Sequence, residues 1–505
     1  MGQKTDFFLA GLDVGTTGAR CIIFDSHGNE KFGAQREFPS HYPMPGYVEQ
    51  NPHELLSVIF EVSREATSQL RAAGFAPEKV VAIGVSSQRS TTCPMDRNGR
   101  PVRPFFSWQD GRCVDETKCI AERIDPETFY RQTGLPLTGT WILPKILWMR
   151  NNEPDVCEKV DKFVQVGDWV LHALGTKRFY TDLCSAVFYG AWDVQRAQWN
   201  LDWLDLFELT PERFGSPTLP GTQVGELSRE AAELSGFVSG TPLCVGAGDQ
   251  NCAVVGMGAI HSGTATVTLG TCGMAILSTD RPIQGFGGMM ITHHPLAGMW
   301  EAEGLTNAAA CALRWFRDEI GSGATGAPSY QTLVSLAENS PPGANGVRFV
   351  PYLAGAASPR WNAAARGLMA NLSLKSTRGD MVRAVLEGVV FEIRSIIETW
   401  KQAGHPVERI RIAGGATRSD LWNQIQADIY GVEVSKPECD EASCLGAAIL
   451  AGVGTGVWNS VAEACSSMTR EGKTYTPRPD VADAYDEAWR DFVAWADCAG
   501  RNNGR

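Results

Sequence analysis

No Cys-x-x-Cys pair occurs among the fourteen cysteines, which run from Cys21 to Cys498. The closest spacings, Cys113 with Cys119 and Cys439 with Cys444, match neither a zinc finger nor a disulfide framework. The thiols are expected to be reduced, as in a cytoplasmic protein. Positive charge is short as well: 45 Lys and Arg face 57 Asp and Glu, a net charge of -12, so neither nucleic acid nor an anionic membrane is an expected partner. No apolar run approaches the roughly 20 residues of a membrane-spanning helix. The longest uncharged helical stretch, residues 444–458, is rich in Gly and reads as a buried helix with its exit turn. Residues 1–6 lack a basic segment leading into an apolar core, so no secretory signal or transit peptide is expected. Basic runs, coiled-coil heptads and low-complexity tracts are missing too, which leaves no reason to expect a scaffold.

What is present is chain enough, at 505 residues and 43% hydrophobic, for about two to four packed units. Phe7-Phe8-Leu9-Ala10-Gly11-Leu12 is an apolar run ending at Asp13; Val14-Gly15-Thr16-Thr17-Gly18 follows, and Arg20-Cys21-Ile22-Ile23-Phe24 resumes the pattern. This is a hairpin with a Gly/Thr tip. Residues 265–269, the tip Gly270-Thr271-Cys272-Gly273 and residues 274–277 repeat it in the second half, so the chain reads as internally duplicated. Helical stretches at 53–73 and 380–403 precede strand-like runs at 80–85 and 410–413, an alternation that predicts α/β layers. Gly256, Gly258 and Gly263 interrupt the pattern between the halves. The expected domains are 1–257 and 258–485, with 486–505 as the end of a C-terminal helix and its tail. Residues 480–495 read as an amphipathic helix and 502–505 as a frayed end, while 39–46, 321–328 and 341–346 read as Gly/Pro loops.

A Gly/Thr tip suits phosphate, because glycine lets backbone N–H groups approach an anion and threonine adds uncharged donors. One such tip is also an ordinary tight turn; two facing one cleft could grip a polyphosphate. Asp13, at a strand end, can meet a magnesium ion or cap the turn. Gly248-Asp249-Gln250 follows the apolar run Leu243-Cys244-Val245-Gly246-Ala247, placing a second carboxylate where it could accept a hydroxyl proton. His293-His294 has no third ligand at metal spacing and is expected in an exposed loop or turn. Met289-Met290, Trp141, Trp148, Trp192 and Trp199 are expected to pack cores.

Taken together, residues 11–20, the Gly-Asp-Gln segment and Gly270-Thr271-Cys272-Gly273 resemble the FGGY family of carbohydrate kinases. The resemblance continues through Ala365-Arg366-Gly367-Leu368, the signature-like 380–388, Gly414-Gly415-Ala416-Thr417-Arg418-Ser419 with Leu421-Trp422-Asn423-Gln424-Ile425, and Glu441-Ala442-Ser443 with Leu445-Gly446-Ala447-Ala448. It implies an α/β fold of two actin-like, ribonuclease-H-like ATPase domains around a cleft, with ATP and Mg2+ on the second domain and a small-molecule sugar or polyol mainly on the first. It further implies Asp249 as general base and Asp13 as the metal residue. Gly15, Thr16, Thr17, Gly18, Arg20, Gly270, Thr271, Gly414, Gly415 and Ser419 would bind ATP and its phosphates. Gln88, Arg89, Trp108, Asp249 and Gln250 would bind the acceptor. Family members often form homodimers or larger assemblies, and a homodimer is expected on that ground alone.

The acceptor is less defined, since Gln88-Arg89 and Trp108-Gln109-Asp110 resemble the glycerol kinases of the family, yet Ser90 stands where that branch has an acidic residue, Thr140 where it has tyrosine, and Met274 where it has phenylalanine. Asp110-Gly111-Arg112 and Pro351-Tyr352-Leu353-Ala354-Gly355 are similar to xylulokinases, and residues 300–303 and 313–318 to autoinducer-2 kinases. The expected activity is ATP-dependent phosphorylation of a ketose such as xylulose, with a glycerol- or erythritol-type polyol or an autoinducer-2 acceptor as alternatives. An actin- or chaperone-like nucleotide switch is the alternative of another class, opposed by Gly248-Asp249-Gln250 and by the signature-like segment.

Overall fold

The strand Phe8–Val14 is buried at every position, as its apolar sequence requires for a central strand. It lies antiparallel to Gly18–Asp25, which continues to Glu30–Glu37, and parallel to Val80–Ser87, itself parallel to Pro242–Gly248. With Gln223–Glu226 at one edge these make a six-stranded sheet. The computed structural model describes residues 7–281, 283, 288–322 and 326–501. The expectations for residues 1–6 and 502–505 and for part of the 321–328 loop lie outside the described residues.

The chain forms two compact units. The first takes residues up to Ile260 together with Ile291–Trp300 and Glu441–Arg470; the second takes His261–Met290, Glu301–Asp440 and the chain from Glu471. By internal contacts the first unit departs from the expected linear division into 1–257 and 258–485 at two returning segments. The return of Glu441–Arg470 has a steric basis in the helix Ala442–Gly454, which lies directly on the first sheet where glycines leave room. A Cβ on Gly11 would stand 2.0 Å from the Cys444 carbonyl oxygen, and one on Gly84 2.0 Å from that of Ala447. Side chains at those two strand positions would hold the helix off the sheet. The opposite side of the hairpin is covered by Pro52–Ala72, whose N-cap Asn51 accepts from the His53 N–H.

In the second unit Thr264–Leu269 and Gly273–Thr279 form the second hairpin, and Thr264–Leu269 runs parallel to Arg409–Ala413, which runs parallel to Glu433–Pro437. The scheme of the first unit is repeated, a hairpin followed by parallel strands, as duplication predicts. The signature-like 380–388 lies in the 25-residue helix Arg378–Gln402, started by a reciprocal capping box of Thr377 and Asp380. Here Arg383 pairs with Glu387 at 2.8 Å and donates to Ser340 O and Tyr485 Oη, all within the second unit. This buried arginine ties three segments together, so the signature serves packing. The last helix, Ala482–Arg501, crosses the expected boundary at 485 and runs past the expected end at 495, because Tyr485, Ala488, Phe492, Ala496 and Ala499 keep one face apolar. Among the described residues no helix is long and apolar enough to cross a membrane.

The four tryptophans Trp141, Trp148, Trp192 and Trp199 are buried as expected, as are Met289 and Met290. His293 and His294 are not exposed: only 8% and 2% of their surfaces remain accessible. The expected exposure fails because the strand Met290–His293 carries His293 inward and His294 follows directly, where N–H donors meet both. Trp192 Nε1 donates to His293 Nε2 at 3.2 Å, and the Leu296 N–H donates to His294 Nδ1 at 2.9 Å. Both rings are thereby held neutral, and burial pushes each pKa down from 6.5 to about 4. Below pH 6.5 the unfolded chain takes up a proton that folded His294 refuses, so its stability contribution, intact above that pH, is lost toward pH 4. His294→Gln is expected to remove about 3 kcal/mol of this acid loss, read from urea unfolding of variant and wild type across that pH range.

Candidate active site

In the first unit the carboxyl ends of three neighbouring strands bring the predicted polar residues together. The register sets Asp13 opposite Ser86, and Val14 and Gly248 each opposite Ser87. Ligands of such parallel arrangements bind beyond these ends. Asp13 is 7% exposed and accepts from Ser86 Oγ at 2.8 Å. Burial first and the charge of Asp249 second raise its pKa to about 6 against the opposing pull of Ser86 and Arg20. Two carboxylates are thus held close enough to feel each other in a poorly solvated corner.

Asp249 is the first residue of the helix Asp249–Gly256, directly after Pro242–Gly248, so the expected strand end is a strand-to-helix junction. The Gln250 N–H donates to Asp249 Oδ1 at 2.8 Å, and Ser443 Oγ donates to the Asp249 carbonyl at 2.9 Å. The carboxylate keeps 26% of its side-chain surface accessible, and Arg89 Nε lies 3.9 Å from Oδ1. Arg89 is stacked over the Phe188 ring at 4.8 Å and donates from Nη1 to Asn251 Oδ1 at 3.3 Å. Gly248 is needed here, since a Cβ would come 2.3 Å from Arg89 Cδ.

The hairpin tip closes through a bond from the Gly15 N–H to Gly18 O at 2.9 Å, with Thr17 exposed. Gly18 passes so close to the next strand that a Cβ would lie 2.4 Å from Arg36 O. Arg20 is engaged by Glu441 at 3.3 Å and donates to Gln35 Oε1 at 2.9 Å. Trp108, 37% exposed, donates its indole N–H to Thr16 Oγ1 at 2.8 Å. Gln88, by contrast, is 1% exposed, accepts from Thr91 and donates to Gln50, so it stands behind the site with its amide bonded at both ends. A cavity of about 610 Å³ opens beside Trp108, lined also by Gln109, Lys118, Gly139 and Thr140. Ser90 takes a left-handed conformation at φ 64° and is held by Lys145 Nζ on its carbonyl, by Gln165 on its N–H, and by its own hydroxyl donating to Thr140 O.

The second unit presents its own two turns. Gly270 N–H donates to Cys272 O at 3.0 Å, and the N–H groups of Ala309 and Ala310 donate to Thr271 O and Gly270 O. Gly414, at φ 89°, passes Leu269 so closely that a Cβ would lie 2.6 Å from its carbonyl oxygen. Gly415 has open space around it, and Ser419 caps the helix Asp420–Tyr430 by accepting from the Trp422 N–H. The two glycines keep side chains away from the nearby backbone, the surface a flat ligand or an anion requires.

Sequence reasoning passed over Ser86, Asn251, Gln50 and Thr91, and gave Ser443 no role beyond its place in a family-like segment. Ser86 carried a signal, a polar residue ending an otherwise apolar run. Asn251 followed the Gly-Asp-Gln segment directly, but its contact with Arg89 spans 162 residues of chain.

The model for the N-terminal domain of the FGGY family of carbohydrate kinases matches residues 8–256, and that for the C-terminal domain residues 265–455. A gluconokinase of Bacillus subtilis is 30% identical, covering 95% of this chain and 93% of its own. Glycerol kinase 2 of Streptomyces avermitilis is 31% identical, covering 98% and 97%. The solved structure of a xylulose kinase from Rhodospirillum rubrum superposes with a TM-score of 0.89 at 26% identity, covering 97% of this chain and 98% of that one.

Proposed function

The chain belongs to the FGGY family of carbohydrate kinases, and from that premise we propose that it transfers the γ-phosphate of ATP to a hydroxyl of a five- or six-carbon sugar, a ketose such as xylulose. That it is a kinase with an alcohol acceptor follows from membership; the acceptor and the residue roles are the proposal. The observation that carries it is the corner of Asp13, Asp249 and Arg89. Asp249 keeps 26% of its side-chain surface accessible at the start of its helix, as a base toward a hydroxyl must. Arg89, held by Phe188 and Asn251, offers fixed donors to substrate oxygens.

Mg2+ fits Asp13. Magnesium keeps most of its waters and takes one or two carboxylates plus phosphate oxygens, so no cluster of protein ligands is required. A buried carboxylate destabilised by a second one is the donor a divalent cation would relieve. Bound there, the ion would neutralise phosphate charge; the chain's part is to hold Asp13 with Ser86 and to present the tip Gly15–Gly18 to the anion. On the second unit Gly270 and Thr271 would meet phosphate, and Gly414, Gly415 and Ser419 the nucleoside. The fourteen free thiols suit a reducing, cytoplasmic setting.

Beside Trp108 a cavity of about 610 Å³ leaves room for an acceptor longer than a three-carbon polyol, although Asp13, Arg89 and Asp249 do not line it. Ser90 adds no carboxylate and its hydroxyl is taken by Thr140 O, which disfavours glycerol. A sugar acid such as gluconate is the second reading, favoured by the 30% identity to the Bacillus subtilis gluconokinase. A coupled ATP-to-ADP assay against xylulose, ribulose, gluconate, glycerol, erythritol and autoinducer-2 precursor, with an acceptor-free control, tests this. The expected result is a kcat/KM for a five- or six-carbon acceptor at least about tenfold above that for glycerol, equivalent to about 1.4 kcal/mol of transition-state binding. Glycerol as the best substrate would overturn the acceptor reading.

A further inference from the structure

Five hydrogen bonds in the first unit close into a ring. Trp108 Nε1 donates to Thr16 Oγ1 at 2.8 Å, and the backbone N–H of Trp108 donates to Thr91 Oγ1 at 3.2 Å. The Thr91 hydroxyl donates to Gln88 Oε1 at 2.9 Å, Gln88 Nε2 to Gln50 Oε1 at 2.9 Å, and Gln50 Nε2 to the Thr16 carbonyl at 2.8 Å. The path thus leaves Trp108 by its backbone and its indole, and both arms end on Thr16.

From Trp108 N to Thr16 O every bond points the same way. Each amide spends its oxygen on the incoming donor and its nitrogen on the outgoing one, so flipping either would set N–H against N–H or oxygen against oxygen. Gln50 and Thr91 are 0% exposed and Gln88 1%, so no bulk water stands ready to replace a broken link. The ring therefore has one satisfied arrangement, and Trp108 cannot shift relative to the Thr16 peptide without breaking it.

We infer that Gln50 and Thr91 are positioning residues that couple the acceptor-side Trp108 to the phosphate hairpin at Thr16, so that a triphosphate on the hairpin is felt at Trp108. Neither residue touches a ligand; both act through the ring. The inference rests on the reading of Thr16 as a phosphate residue and Trp108 as an acceptor residue. Coupling of this kind is reciprocal, so acceptor occupancy tightens or loosens triphosphate binding by the same factor. A mere brace would cost stability on removal and transmit nothing.

The test follows the Trp108 indole N–H resonance, assigned by its loss in Trp108→Phe, while Mg2+ with the non-hydrolysable β,γ-imido analogue of ATP is titrated in; calorimetry on the same samples reports binding. The analogue is expected to shift the resonance in wild type and in Thr91→Ser, which keeps the hydroxyl. In Thr91→Val and Gln50→Met the shift is expected to fall to less than about half although the analogue still binds, as loss of one link in a coupled network predicts. Binding that leaves the wild-type resonance in place overturns the coupling and leaves the kinase reading intact. Equal shifts in wild type and both variants overturn the roles of Gln50 and Thr91. An absence of binding heat removes the nucleotide reading, and the coupling falls with it. The wild-type titration decides the coupling even where a variant does not fold.

Discussion

Asp249→Asn is expected to lower kcat by about 10² to 10⁴-fold while nucleotide affinity changes by less than about threefold. The substitution is nearly isosteric, and an amide oxygen can still accept from the Gln250 N–H, so the start of the helix Asp249–Gly256 should hold. The bond from Ser443 Oγ goes to the backbone carbonyl of residue 249 and is untouched. What is lost is a carboxylate able to take a proton from the acceptor hydroxyl. The change also removes the charge that helps raise the pKa of Asp13, so Asp13 should titrate lower in the variant. Steady-state kinetics, calorimetry with the ATP analogue and thermal unfolding separate the effects. Near-normal turnover with an intact fold would exclude Asp249 as the base.

Both hairpins were legible because their information is local. Strand, Gly/Thr tip and strand lie within about twenty residues, and the tip glycines answer to steric demands of the turn itself or of the adjoining strand, as Gly18 does against Arg36. Asp13 and Asp249 were legible for a related reason, each ending an apolar run that could be read as a central strand. What escaped depends on contacts that no short window holds. Gln88 was expected to bind the acceptor, and only the fold shows it buried with Gln50 and Thr91 occupying both ends of its amide. His293 and His294 read as exposed loop residues, yet Trp192, about a hundred residues away, and the Leu296 N–H supply the donors that make their burial tolerable. The helix at 442–454 was read as buried, but its membership in the first unit is written in glycines far away in the chain.

A glycine of that helix itself gives the second large effect, because Gly446→Ala is expected to destabilise the protein by about 3 kcal/mol and to reduce activity in the fraction that stays folded. By helix propensity alone the change should help, since alanine is favoured over glycine by about 1 kcal/mol inside a helix. Packing opposes it more strongly. A Cβ on Gly446 would stand 1.8 Å from the Cys252 carbonyl oxygen, and one on Gly256 1.9 Å from that of Ala442, so the helices Asp249–Gly256 and Ala442–Gly454 touch backbone to backbone at two points. The obstructing atoms are main chain and cannot rotate aside, so a whole helix must move. Either helix would carry a functional contact with it, since Ser443 Oγ is bonded to the carbonyl of Asp249 across this same junction. The steric demand of one methyl group is thereby transmitted to the residue assigned as base. Chemical unfolding should show the lower midpoint, and kinetics on folded protein a kcat loss larger than any change in ATP affinity; an unchanged midpoint would mean that the two helices can separate without cost.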